Sequence, residues 1–399
     1  MPTRTFRTIT ATEMRSVNRS AVLDYLRRNS PAARSIIARD LNLSLPTVMR
    51  IVDDLIEKGW VRPTGATEWS GSRRRDLLEY HKEGHAVIGI DLGGTKMFGA
   101  LANIGGEIIS ELTVNGHGTS GEASYTMLVE IIKELSAVPR PRGQKIRGIA
   151  VGAPGVTHVQ TGVVEWAPSL NWRNFPLKEK LERQFRLPCV VDNDVNLAAL
   201  GEQWFGAGDG ASNIVLIAIG TGVGAGLIVD GMLYRGHHDS AGEVGYLISN
   251  RAELEQRYDT FGALERIISG TGIAERAQTI LAGSLPEDQL ARLGAQEVFD
   301  AYRRGEAWSR AVVDETVDYL SIAIINISTL LDPELIILGG GVAESADVLL
   351  PRVQARIQNV LPITPTIKVS TLGRRATVMG AIAQVVHLTS DFFVARKLV

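Results

Sequence analysis

Three apolar runs in this sequence each end in a cluster of glycines, and that arrangement limits the fold more than any other feature. They read AVIGIDLGGTK from residue 86, NIVLIAIGTGVGAG from residue 213 and ELIILGGG from residue 334. A short apolar run stopped by glycine reads as a buried strand entering a tight turn. The first continues as MFGALANIGGEIISELTV, a returning strand, a Gly-Gly hairpin and a third strand. The second also returns, through GLIVDGMLYRG. Any one of these turns is explained as well by chain reversal as by binding. Three of them after apolar strands suggest an α/β body of two similar lobes closing on a nucleotide.

The first turn has a mechanism for such a ligand. Gly93 and Gly94 let backbone N–H groups approach a phosphate, Thr95 adds a hydroxyl donor, and Asp91 could hold a magnesium ion through water. Thr221 and Gly222 occupy the second turn and Gly340 the third. Between the first two turns lies PCVVDNDVNLAALGEQWFG, a strand running into Asp192-Asn193-Asp194 and then a helix over about 195–205. At that junction Asp194 could take a proton from a hydroxyl attacking a phosphate. The competing reading is that Asn193 or Asp194 only caps the helix.

Ahead of this body the periodicity is helical. Val17, Ala21, Val22, Tyr25 and Leu26 share one face of a first helix. Ser30-Pro31 reads as an N-cap and first-turn proline for a second helix over about 31–41, closed at Asn42. Ser44 caps a third helix to about Lys58, with Val48, Ile51, Val52, Leu55 and Ile56 inward and Gly59 as the stop. WVRPTG and ATEWSGSRRRDLLEY then read as two strands around a basic turn, a wing. The third helix would offer Ser44, Pro46, Thr47 and Arg50 to a major groove, and Arg73, Arg74 and Arg75 would reach phosphates or a minor groove. The alternative is a helical packing or dimerisation module with a solvated arginine run.

Charge agrees with the DNA-binding reading. Residues 1–80 hold 14 Lys/Arg against 9 Asp/Glu, leaving 28 and 35 of the chain's 42 and 44 to the remainder. A basic head on an acidic body suits one part that meets phosphates and one that does not. Cys189 is the only cysteine, so no disulfide forms within the chain. No apolar run reaches the roughly 18 residues of a membrane span, and the N-terminus lacks a secretory pattern. The expectation is a cytoplasmic protein with no membrane partner.

These motifs resemble the ROK family of repressors and sugar kinases over nearly the whole chain. The resemblance rests on the winged segment, DLGGTK at 91–96, GAPG at 152–155, WAPSLNW at 166–172 and DNDVN at 192–196. It extends through GTGVGAG at 220–226, SAGEVGY at 240–246, GALE at 262–265 and LGGG at 338–341. It implies an N-terminal winged helix-turn-helix followed by a two-lobed actin-like ATPase/sugar-kinase fold. It implies domains at 1–80, 81–193 with 380–399, and 194–379, the last including a helix over 312–331. By the same resemblance Asn193, Asp194, Glu243 and Glu265 contact sugar hydroxyls, with Asp194 the base in kinase members. Pro154, Gly155 and Ser169 then lie on loops lining the sugar, and Asp91, Gly93, Gly94, Thr95, Thr221, Gly222 and Gly340 form the phosphate site.

Departures from the family pattern carry their own expectations. Tyr246 stands where the family has a histidine that binds zinc and sugar. Gln256, Tyr258 and Ala263 stand where it has zinc-binding cysteines. No zinc is therefore expected, and His237 and His238 read as surface residues. Tyr246 still faces the sugar by this reading, with a shifted ligand preference. ATP and magnesium are expected only if kinase activity is retained. The implied function is a sugar-responsive transcriptional repressor binding double-stranded operator DNA as a homodimer. A sugar kinase carrying a DNA-binding head and a sugar-binding scaffold are the alternatives.

Overall fold

The computed structural model describes residues 10–70, 73–94, 96–115, 121–258 and 262–390. In the head, α1 (Ala11–Asn29) is followed by β1 (Ala32–Ala33), α2 (Arg34–Asp40) and α3 (Leu45–Glu57), then the wing strands β2 (Val61–Ser70) and β3 (Arg73–Tyr80). Val22, Leu23, Leu26, Ile37, Val48, Val52, Leu55, Trp60 and Leu78 form its core. Leu23 joins that core although the face drawn from the sequence omits it, while Val17 and Ala21 are only half-buried.

Local chemistry explains most of the head's boundaries. The Ser44 hydroxyl accepts from Thr47 N at 3.3 Å, and Asn42 and Gly59 hold φ of 52° and 77°. Ser30 does not cap α2. Its hydroxyl accepts from Tyr80 N at 2.9 Å and donates back to Leu26 O, while Ala32 and Ala33 pair with Leu78 and Leu77 of β3. The segment is thus drawn into the wing sheet, and α2 starts at Arg34 with no side-chain cap.

The body repeats one topology twice. β4 (His85–Leu92), β5 (Lys96–Asn103) and β6 (Ile108–Asn115) form an antiparallel meander. After α4 (Glu122–Ala137), β7 (Lys145–Ala153) pairs parallel with β4. The hairpin strands β8 (Val156–His158), β9 (Val163–Ala167) and β10 (Trp172–Phe175) and helix α5 (Leu177–Phe185) precede β11 (Cys189–Asn193), parallel to β7. Beyond α6 (Asp194–Phe205), the second meander is β12 (Ile214–Ile219), β13 (Val223–Val229) and β14 (Met232–Tyr234).

A helical run follows: α7 (Glu265–Ile268), α8 (Gly270–Leu281), α9 (Glu287–Leu290), α10 (Ala295–Arg303) and α11 (Ala307–Leu331). The last begins five residues before the expected 312. β15 (Leu335–Gly339), α12 (Ala346–Gln358), β16 (Thr366–Val369) and α13 (Ala376–Thr389) complete the chain. The sheet orders β11-β7-β4-β5-β6 and β16-β15-β12-β13-β14 correspond strand for strand.

α6 and α13 cross closely between these sheets. A Cβ on Gly380 would stand 1.7 Å from Leu197 O, and one on Gly201 2.1 Å from Ala376 O. Only residues without a side chain allow that approach. α6 touches β12 and β13 on one side and β7 and β11 on the other. The apolar core of the head continues without a break into α6 and α13 through Trp204, Ile382 and Val386.

Candidate ligand cleft and nucleic-acid interface

A cavity of about 930 Å³ opens between the two sheets, in the size range of small-molecule sites. β4 brings Asp91 to it, the β7–β8 turn brings Pro154 and Gly155, and the start of α6 brings Asn193 and Asp194. The opposite wall carries Thr221, Gly222, Glu243, Tyr246, Glu265 and Gly340. Three expected residues sit elsewhere. Ser169 packs against the Gly93-Gly94 turn, where a Cβ on Gly94 would be 2.8 Å from Ser169 Cβ, and Pro168 lines the cavity in its place. Gly93 folds back onto Lys96 O, so neither glycine is among the lining residues. Thr95 lies outside the described residues. Asp239, Glu344, Ser370, Gly373 and Arg374 also line the cavity. None of them stands out in the sequence as a site residue, although Asp239 and Glu344 adjoin the SAGEVGY and LGGG motifs; Ser370, Gly373 and Arg374 come from the segment between β16 and α13.

The capping reading of the Asp-Asn-Asp turn falls to one residue. Asn193 is the cap, its side chain accepting from Val195 N at 3.0 Å and Asn196 N at 3.1 Å. That leaves Asp194, the first residue of α6, directed at the cavity. Asp192 points the other way. It is fully buried, paired with Arg235 at 2.5 Å and accepting from Gln384 at 3.1 Å. Glu265 accepts from Val223 N at 2.7 Å, which joins α7 to the second glycine turn.

The cleft concentrates carboxyls away from water. Burial raises Asp194 to about 6 against the pull of its bond from Val195 N. Burial and the Asp194 charge raise Asp91 to about 8. Glu243 is raised by burial, then by Asp194 and Glu265, and Glu265 is raised by burial. Tyr246 is raised by burial and by both glutamates. A neutral ligand rich in hydroxyls satisfies such a wall, because each O–H can donate to a carboxylate.

The positions corresponding to the family's zinc ligands do not fit that metal. Gln256 accepts from Arg266 at 3.3 Å, the Arg266 guanidinium lies 5.4 Å from the Tyr258 ring, and Ala263 is buried. The loop is ordered instead by Glu253, which accepts from Ser249 N at 2.5 Å and from the Asn250 side chain at 2.6 Å. His237 and His238 are exposed and meet edge-on, 4.5 Å between ring centres.

On the head, Ser44, Pro46 and Arg50 are exposed along α3 and Thr47 is half-buried. Leu45 and Met49, 44% and 47% exposed, share that surface and escaped the sequence reading because they look like core residues. Apolar side chains there suit thymine methyl groups. In the wing, Arg74 donates to the Thr67 hydroxyl at 2.8 Å and Arg75 pairs in register with Glu68. The Arg73 side chain lies outside the described residues.

Head and body are fastened together on the β4 and α6 side. His85 Nε2 lies 2.9 Å from Lys58 O at the end of α3, and its ring packs edge-on to Trp60 at 4.8 Å. The Arg27 guanidinium sits 4.2 Å from the ring centre of Trp204, near the end of α6, and His387 of α13 packs against the same indole at 4.8 Å. Tyr80 donates to Ile104 O at 3.3 Å.

A winged DNA-binding head on a two-lobed body of the sugar-kinase type defines a class of sugar-responsive DNA-binding regulators. A family profile described as "ROK family" matches residues 87–387, and one described as "Winged helix-turn-helix DNA-binding" matches residues 16–62. The chain belongs to the ROK family. A xylose repressor of Caldicellulosiruptor bescii is 30% identical over 387 residues, covering 94% of this chain and 96% of its own. A glucokinase of Halalkalibacterium halodurans is 37% identical over 308 residues, 73% of this chain and 92% of its own. The crystal structure of a ROK family transcriptional regulator, a homologue of the E. coli MLC protein, matches with a TM-score of 0.82. At 22% identity over 96% of this chain and 98% of that one, it speaks to the fold.

Proposed function

We propose that this chain represses transcription by holding double-stranded operator DNA on α3 and the wing, and that a neutral sugar in the cleft changes that hold. The observation that carries the reading is α6. Its first residue, Asp194, faces the cleft, and Trp204 meets Arg27 of the head. At about 1.5 Å per residue the helix spans roughly 15 Å between the two, so a ligand that shifts α6 acts on the head directly. An effector changes DNA affinity only by binding one conformation better than another. Closure of the second sheet onto the first, gripping a sugar between Glu243, Glu265 and Asp194, supplies that difference.

The ligand class follows from charge. Asn193, Asp194, Glu243, Tyr246 and Glu265 present oxygen acceptors and one amide, which suits an unphosphorylated sugar and repels a phosphate at the same place. Pro154 and Gly155 close the floor. Two copies reading two half-sites fit a winged head. Division at 193/194 places α6 with the second lobe, at the seam where it serves both. The test is a fluorescence-anisotropy titration of DNA from upstream of the chain's own operon with a panel of sugars. A shift in DNA affinity, lost in Asp194→Asn, is expected. No response to any sugar or sugar phosphate overturns the sensor reading.

One observation favours retained kinase activity as a second reading. The Asp194 carboxyl, held up to about 6, is suited to accept a proton from a sugar hydroxyl near neutral pH. ATP with magnesium, when bound, would supply the transferable phosphoryl group, facing Asp91, Thr221, Gly222 and Gly340. A coupled ADP-release assay with the same sugars decides it. Turnover abolished by Asp194→Asn establishes the kinase, and no turnover on any sugar rejects it.

A further inference from the structure

We propose that Trp69 is a DNA-contacting residue of the wing, its indole packing against the deoxyribose wall of the minor groove beside the segment that α3 faces. The proposal rests on the repressor reading and adds a residue to it. Trp69 is 71% exposed, although an indole is among the side chains that gain most from leaving water. Its direction follows from the ladder, which pairs Trp69 with Arg74, Thr67 with Asp76 and Pro63 with Leu78.

Side chains alternate along a strand, so Arg74, Asp76, Leu78 and Tyr80 share one face of β3. Leu78 and Tyr80 are buried on the head's core. The Arg74 bond to the Thr67 hydroxyl, 2.8 Å, places both strands' residues on that face. Trp69 therefore continues the inner face of the hairpin past the point where the helices cover it.

Chemistry selects DNA as the occupant. Arg74 lies across the ladder from the indole and is bonded to a hydroxyl, which leaves its charge available to a phosphate. On the opposite face Arg75 is matched by Glu68. The tip of the inner face, Trp69 with Arg74, is thus apolar and cationic together, the pairing that a sugar–phosphate backbone rewards, while the one carboxylate of that face, Asp76, stands a step further from the tip, opposite Thr67. The same head exposes Leu45, Pro46, Met49 and Arg50 on α3 and carries five more basic than acidic residues.

The test uses the purified full-length chain and a fluorescein-labelled duplex obtained by in vitro selection with the wild-type protein. Dissociation constants are measured at several salt concentrations. Trp69→Ala is expected to weaken binding about tenfold, in the range of stacking contacts to nucleic acid, and Trp69→Phe to recover most of it. The slope of log Kd against log salt should not change in Trp69→Ala, because an apolar contact displaces no counterion. In Arg74→Ala it should fall by about one. Wild-type affinity in Trp69→Ala overturns the proposal. So does a loss of affinity that tracks a changed elution volume on a sizing column, which would make this face an interface between copies. If the wild type selects no duplex, the repressor reading itself fails and the proposal with it.

Discussion

Asp91 shows how a single buried group makes the cleft sensitive to its ligand. Its carboxyl is held at about 8 by burial and by the Asp194 charge, so between its ordinary value near 3.8 and about 8 the folded chain keeps a proton that the unfolded chain has lost. Stability from this group is therefore present at low pH and declines as pH rises through that window. Asp91→Asn, which cannot ionise, should raise the melting temperature by a few degrees at pH 8 and by much less at pH 5. Thermal melts across that range check it, and equal shifts at both ends would rule the account out. Sugar hydroxyls donate to ionised carboxyls, so effector affinity should rise as Asp194, held at about 6, ionises, measurable by calorimetry at pH 5 and 7.5.

At the scale of elements, the crossing of α6 and α13 sets two physical effects against each other. Replacing a mid-helix glycine by alanine gains about 1 kcal/mol of helix propensity. At Gly380 the new methyl would meet Leu197 O, 1.7 Å away, and overpacking costs about 1–3 kcal/mol or more. Packing outweighs propensity, so Gly380→Ala should lower stability in chemical denaturation, and Gly380→Val should lower it further. A stabilised Gly380→Ala protein would mean that the two helices separate freely.

The elements also mark how far sequence reaches. The strand–glycine–strand units, α3 with its Ser44 cap, and the Asp-Asn-Asp turn were legible because local chemistry specifies each one. Ser30 was misread because its hydroxyl is claimed by Tyr80, fifty residues away, a competition that no local pattern contains. Arg374 and Glu344 joined the cleft, and Gly93 and Ser169 left its wall, because loop positions are set by tertiary packing. Leu45 and Met49 were hidden for the opposite reason, since an exposed apolar residue in a helix looks like core until the helix is docked.

For the molecule as a whole, the union of head and first sheet predicts movement as one body. His85 against Lys58 O, Arg27 over Trp204 and Tyr80 to Ile104 all join the head to β4, α6 or the turn after β5. Trp204→Ala removes the indole shared by Arg27 and His387. It should leave both sugar affinity and sugar-free DNA affinity within about threefold, while reducing the effect of sugar on DNA binding by about tenfold, within the 1–3 kcal/mol typical of coupling between sites. Anisotropy titrations with and without saturating sugar measure all three quantities. Unchanged coupling would place the connection elsewhere.

The glycine pair at the helix crossing has a consequence for heredity. Gly201 and Gly380 are not themselves among the residues lining the cleft, although Gly201 packs on Ala376, which is, and they set how closely the two helices approach. Substitutions there would alter how strongly a nutrient governs its genes while both recognition surfaces stay intact. A lineage can therefore retune its response to a sugar without relearning either the sugar or the operator.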